Sequence, residues 1–459
     1  MAGFILYDIA FLVIFTLAIV LFLYVKRKNL KREGLLYLYR TRFGLKIINF
    51  TSKRFSHILK PMQYVIVACG YFLMGVMVWL LAKFSWIYLT SDIARSIKVP
   101  VVIPLIPYLP ELFKLDFLPP FYFTYWIIII AIIAIPHEFA HGIFARLNKI
   151  RVHSTGFGFL GPFLAAFVEP DEKETQKAPK ISQLSILGAG TFANILVALL
   201  FFILMWGFFV AAFSPAGVNF NTYSTSIVNI SDVDYVNQSQ ILMGDEFIEI
   251  NAYNKSFYTS PTIIQQALET NASQIAAFDD SPAFNSKLSG AITEINGVKI
   301  TNYDELKNAI LINEPGDSAT IKTISDGEVR EYQIEFDNRN GEAFLGIGII
   351  PYQRSGIMGK IYSIIASVKN PLIYYESSLG NLGIFIYDLL WWVVLVSISV
   401  ALVNMLPLGI FDGGRFFLLT IWGITGSKKF GETAFKLSTW IILALIAMLM
   451  AKWVMVMFF

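Results

Sequence analysis

Apolar residues along this chain gather in six runs, each long enough to cross a bilayer as a helix of about 20 residues. The runs cover residues 4–24, 64–88, 121–144, 184–213, 382–406 and 437–458. Charge collects between them. Lys26, Arg27, Lys28, Lys31 and Arg32 follow the first run, and Arg40, Arg42, Lys46, Lys53, Arg54 and Lys60 precede the second. Basic loops stay on the cytoplasmic side, so this loop is predicted to be inside and the N-terminus outside. The third run then travels inward and ends at Arg146, Lys149 and Arg151, and the fourth travels outward. The first run lacks a basic leader and a small-residue cleavage site, and reads as an uncleaved anchor. A proline-rich stretch at 99–113 cannot be a regular helix and is predicted to lie over the outer membrane face. The expected fold is an all-α polytopic membrane protein with about six transmembrane helices.

From residue 214 to about 352 the pattern changes to short alternating strands with polar turns. Asn229, Asn237, Asn254 and Asn271 each open a glycosylation sequon there, although Asn49 opens one in the predicted cytoplasmic loop, so sequons decide little. AITEINGVKI, residues 291–300, predicts a strand, an Asn-Gly turn and a second short strand. TNYDELKNAIL starts with a capping residue and keeps helical spacing, and SATIKTIS and EVREYQIEF predict two further strands joined by an Asp-Gly turn. With SPA at 281–283 and PGD at 315–317, this segment resembles a PDZ domain. That resemblance implies an inserted extracytoplasmic α/β domain with a groove that could take an extended peptide ligand by strand addition. A small α/β domain without a ligand is the other reading. GDEFIEIN at 244–251 echoes GAITEIN at 290–296, too close for two complete copies.

Composition narrows the class. Of 459 residues 56% are hydrophobic and 15% charged, with a mean hydropathy of +0.60, which excludes an ordinary soluble domain. A net charge of +3 without a basic stretch interleaved with aromatics speaks against a nucleic-acid partner. Cys69 is the sole cysteine, so there is neither an intramolecular disulfide nor a cysteine-rich zinc module.

Against this apolar background His137-Glu138-Phe139-Ala140-His141 closes the third run. Ionisable groups are costly in lipid, so such a cluster marks function. HExxH on a helix puts both imidazoles on one face, where they can share one zinc ion, with the glutamate beside it as general base. Only His57 and His153 remain as other histidines, and both read as surface residues, so a distant carboxylate is the expected third ligand. The fifth run ends in Asn404, Pro407, Asp412 and Gly413, the pattern NxxPxxxxDG, at the same predicted cytoplasmic-side depth. Two polar sites at one depth imply one shared centre; taken alone, DGG could be a helix-ending turn.

HExxH in one membrane helix with NxxPxxxxDG in a later one resembles the site-two protease family of intramembrane metalloproteases. The likeness runs from about residue 121 onward, includes GFGFLGPFLAAFVEP at 156–170, and lacks the cysteine-rich insertion of the animal enzymes. It claims nothing for the first two runs. It implies that His137, His141 and Asp412 bind Zn2+, that Glu138 activates the water bound there, and that Asn404 lies near the substrate or the developing oxyanion. Gly190 and Asn194 match the family's GxxxN, which implies a substrate-facing asparagine; Asn194 could instead be glue between helices, and Asn404 a helix cap. By the same analogy, residues 156–168 form a hairpin dipping into the membrane whose edge pairs with unwound substrate. Asp388 reads as a packing contact and Glu169 as a solvated charge.

The chain therefore divides into N-terminal helices with a basic loop (1–120), a first half of a catalytic membrane core (121–213), the PDZ-like insertion (214–356) and the second half of the core (357–459). The implied function is zinc-dependent cleavage of transmembrane segments of other membrane proteins, with the active site toward the cytoplasm of a cell membrane and the insertion outside. A metal or ion transporter and a silent PDZ-bearing scaffold are the competing classes. A transporter would spread its polar groups through the membrane depth, and a scaffold would not need Glu138.

Overall fold

The computed structural model describes residues 2–33, 36–90, 105–113, 115, 118–160, 163–242, 245–325, 327–349 and 368–458. They form two compact units, one of Met1–Met205 with Phe385–Phe459 and one of Trp206–Ile384.

Six helices have the length and apolarity of membrane spans, making this a multi-pass membrane protein. In chain order the helices used below are α1 (Ala2–Lys26), α2 (Leu45–Arg54), α3 (Ser56–Thr90), α4 (Phe123–Leu147), α5 (Lys180–Ala212), α6 (Pro261–Glu269), α7 (Tyr303–Leu311), α8 (Asn381–Asn404), α9 (Asp412–Thr425) and α10 (Lys428–Phe458). The six apolar runs fall in α1, α3, α4, α5, α8 and α10. Their exposed leucines, isoleucines and phenylalanines are what a lipid-facing surface requires. Of the proline-rich stretch, 99–104 lies outside the described residues; the rest holds a single helical turn, Leu109–Leu112.

α4 is the hub of the first unit. Tyr125, Trp126, Ile129 and Ile133 pack on Trp392, Val393 and Val396 of α8. Further along, Phe144 and Ala145 pack with Ile66 of α3 and with Ile186 and Ala189 of α5. The N-terminus of α4 is capped from another helix. Asp8 of α1, 1% exposed, accepts hydrogen bonds from the backbone N–H groups of Phe123 (2.7 Å) and Thr124 (2.9 Å) and from the Tyr108 and Thr124 hydroxyls. An anion there satisfies orphan amides and meets the positive end of the helix dipole.

The helical pattern does not anticipate a four-stranded sheet in this unit, in the order β1 (Leu30–Glu33), β2 (Leu36–Thr41), β3 (Val152–Leu160), β4 (Phe163–Pro170). β3 and β4 are the expected hairpin; its tip, 161–162, lies outside the described residues. β1 and β2 come from the basic loop, and β2 pairs with β3 from Tyr37 opposite Phe159 to Thr41 opposite Thr155. LYLYRT has no alternation of apolar and polar residues to mark it in a basic loop, so its strand is set by the partner it pairs with. β4 is left as the terminal strand.

The second unit holds two larger sheets. In one, β6 (Thr225–Asn229), β10 (Gln274–Asp279), β9 (Lys255–Thr259), β8 (Asp245–Ala252) and β7 (Asp234–Leu242) lie side by side in that order. The other has the order β14 (Glu328–Glu335), β13 (Ser318–Ser325), β11 (Ala291–Ile295), β5 (Phe213–Val218), β15 (Ile373–Ser377), with β12 (Val298–Lys299) beside β11. The Asn296-Gly297 turn joins β11 to β12 with both residues at positive φ, and Asn302 caps α7 by accepting from the Glu305 N–H. Asp326 of the Asp-Gly turn lies outside the described residues. The echo of GDEFIEIN in GAITEIN ends at the hairpin: β8 lies between β7 and β9, whereas β11 pairs with β13.

Candidate metal centre

His137 and His141 sit one turn apart on α4, and their Nε2 atoms are 3.1 Å from each other. Asp412 approaches from the first turn of α9, with Oδ2 3.5 Å from His137 Nε2 and 3.3 Å from His141 Nε2. A tetrahedral zinc ion with bonds of about 2.0–2.1 Å keeps neighbouring donor atoms roughly 3.3 Å apart. The two nitrogens and one oxygen match three corners of such a tetrahedron, so these residues fit the ion. Three lone-pair atoms this close repel one another, and a shared cation or proton relieves that repulsion.

Each donor is held from behind. His141 Nδ1–H donates to the carbonyl of Ile186 at 2.7 Å; a carbonyl can only accept, so Nε2 is left with its lone pair. The ring of His137 meets the Asn194 side chain, 3.1 Å from Nδ1. Gly190, one turn before Asn194 on α5, lies under both rings: a Cβ there would fall 2.6 Å from His137 Nε2 and also strike His141 Nε2. Asp412 depends on its two glycines. Cβ atoms on Gly413 and Gly414 would run into the backbone carbonyls of Met405, Leu406 and Leu408, so only glycine lets α9 start against the turn that ends α8. DGG therefore opens a helix as well as closing the break.

Glu138 follows His137 on α4 and lies beside the same centre. Its Oε2 accepts from the Val168 N–H of β4 at 3.0 Å, and one donor-capable atom each of His137, Glu138 and His141 lies within 4.8 Å of the others. The group borders a cavity of about 740 Å3, lined also by Phe167, Val168, Arg415 and Trp422. At its rim Arg40 of β2 makes a two-pronged ion pair with Glu169, both bonds 3.0 Å, and Ser154 donates to the same carboxylate at 2.6 Å. Glu169 is thus a paired charge that ties β2 to β4, not a merely solvated one.

Of the residues singled out from sequence, His137, Glu138, His141, Asp412 and Asn194 come together. Asn404, the last residue of α8, does not line the cavity. His153 sits on Asp171 at 3.1 Å, away from the centre. Sequence reasoning missed the Ile186 carbonyl and the Val168 amide, because backbone atoms carry no residue signal. It also missed Arg40, a single charge among many in a basic loop.

The family described as Peptidase family M50 matches residues 125–449. Among curated proteins, the zinc metalloprotease RasP of Shouchella clausii (strain KSM-K16) is 23% identical over 177 residues, 32% of this chain. That match covers 42% of the relative's own length, so the chain aligns with less than half of it.

Proposed function

The chain belongs to peptidase family M50, and on that premise we propose that it is an intramembrane zinc endopeptidase that cuts transmembrane segments of other membrane proteins. The observation that carries this reading is the convergence of His137 Nε2, His141 Nε2 and Asp412 Oδ2 beside Glu138 at a cavity. His137, His141 and Asp412 would hold the zinc. When bound, zinc supplies Lewis acidity: it makes water a nucleophile near neutral pH and polarises a carbonyl.

The remaining chemistry belongs to the chain. Glu138 is the general base that takes the proton of the attacking water and returns it to the leaving amine nitrogen. The Val168 N–H fixes its carboxylate, so the proton-accepting oxygen is oriented before substrate arrives. A helical substrate hides its amides in its own hydrogen bonds, so it must unwind first. β4 offers a place for the unwound strand. Val168 points its N–H away from β3, toward Glu138; by the two-residue period of an antiparallel ladder, Ala166 and Leu164 also turn their backbone groups to the free edge. A substrate strand pairing there would run toward the base. Asn404 would meet substrate from the α8 end.

The basic loops support a cytoplasmic position for the centre and an exterior one for the Trp206–Ile384 unit. In this reading that unit is PDZ-like, and it filters or docks substrates by their ectodomains or trimmed ends.

Glu138→Gln tests the proposal. The variant should keep its zinc and lose about 10²–10⁴-fold in cleavage of a transmembrane test substrate. Cleavage at the wild-type rate would remove Glu138 from the mechanism, and active protein free of zinc would end the reading.

A further inference from the structure

We propose that Gly190 and Asn194 form the floor of the metal site, Asn194 accepting the Nδ1–H of His137 so that its Nε2 faces the ion, and that Asn194 does not meet substrate. This rests on the zinc reading above and assigns the GxxxN turn of α5 to building the centre.

Burial is the first reason. Asn194 is 0% exposed, enclosed between α4 and α5, whereas a substrate contact needs a surface that substrate can reach. The second is the symmetry of the two histidines. His141 turns Nδ1 to a carbonyl and so presents Nε2. The Nε2 of His137 stands beside it at 3.1 Å and beside Asp412 at 3.5 Å, so both rings must present the same lone pair to share one cation. His137 then carries its proton on Nδ1 and needs an acceptor there. The Asn194 amide is the side chain at that position, with Nδ2 placed 3.1 Å from Nδ1 and its Oδ1 buried with no hydrogen-bond partner among the described residues. An amide offers oxygen or nitrogen by a half-turn about its last bond, and only the oxygen suits a protonated Nδ1.

The other half of the motif fits the same role. One turn earlier, Gly190 leaves the space that the two imidazole edges occupy. One helix face thus supplies room for both ligands and the acceptor that fixes the tautomer of one. Such outer partners raise ligand basicity and hold ring orientation, and losing one typically costs 10–100-fold in metal affinity.

The experiment uses the full chain in detergent micelles, stripped of metal and titrated with zinc against a chromogenic chelator. Asn194→Leu should bind zinc about 10–100-fold more weakly, with KM for a transmembrane test substrate unchanged once zinc is saturating. Asn194→Asp, which keeps an acceptor, should hold zinc near the wild-type affinity. Asn194→Leu with wild-type zinc affinity and a raised KM would overturn the assignment in favour of substrate contact. If the leucine variant fails to fold, the aspartate variant decides: a folded Asn194→Asp protein with weak zinc binding overturns the proposal. Wild-type protein that takes up no zinc would instead defeat the underlying metal reading, a separately visible failure.

Discussion

Single atoms decide whether this centre forms. The missing Cβ of Gly190 is the clearest case, because one methyl group would overlap both imidazoles. Gly190→Ala should remove zinc from a protein that still folds, since alanine is the better helix former and the clash is confined to the rings. Metal content by mass spectrometry beside a melting curve checks this; full zinc occupancy would show that the rings can yield. At Asp412 the same logic runs through Gly413 and Gly414, whose lack of side chains lets the carboxylate sit over the turn at 405–408. Sequence showed these glycines, but not what they would touch.

At the scale of elements, the terminal strand β4 does two jobs: it anchors Glu138 through Val168, and its outer edge pairs with no further strand among the described residues. Proline is tolerated at an edge position whose N–H faces outward. Ala166→Pro should therefore preserve the sheet and zinc while abolishing cleavage, as read by digestion of a transmembrane test substrate; undiminished cleavage would sink strand addition on β4. Helix α7 offers a test by pH. The Thr301 hydroxyl and then its N–H, both hydrogen-bonded to Glu305, hold that carboxyl below its usual value. A depressed acid stabilises the fold above the unfolded value of about 4.3, and that contribution fades as pH falls through the depressed value. The protection factor of the Thr301 amide, its exchange rate corrected for the pH dependence of intrinsic exchange, should accordingly fall in acid, and Glu305→Gln should flatten that dependence.

For the whole molecule, the orientation drawn from the basic loops is open to direct labelling. In a Cys69→Ser background, cysteine at Asn271 should react with a membrane-impermeant maleimide on intact cells, and cysteine at Lys53 only after permeabilisation. Both positions are exposed. The reverse pattern would invert the predicted topology. The first helix also takes on a larger role than its place outside the family match implies. Through Asp8 it caps the very helix that carries both histidines, roughly 21 Å up the rise from His137. Through the loop that follows, it adds two strands to the sheet at the active site.

The sequence by itself determined the six spans, the HExxH cluster and the candidate partner at Asp412. Lipid demands long apolar runs, and an ionisable group within them stands out whatever it touches. It also determined the Asn-Gly hairpin and the capped helix of the second unit, which are local. Tertiary structure decided the rest: that Asp412 reaches the histidines across more than 250 residues, that the basic loop becomes strands, that Asn194 backs His137, and that backbone atoms of Ile186 and Val168 hold the ligand and the base. Those contacts join segments distant in the chain, often through main-chain atoms that every residue possesses, so no local pattern could encode them.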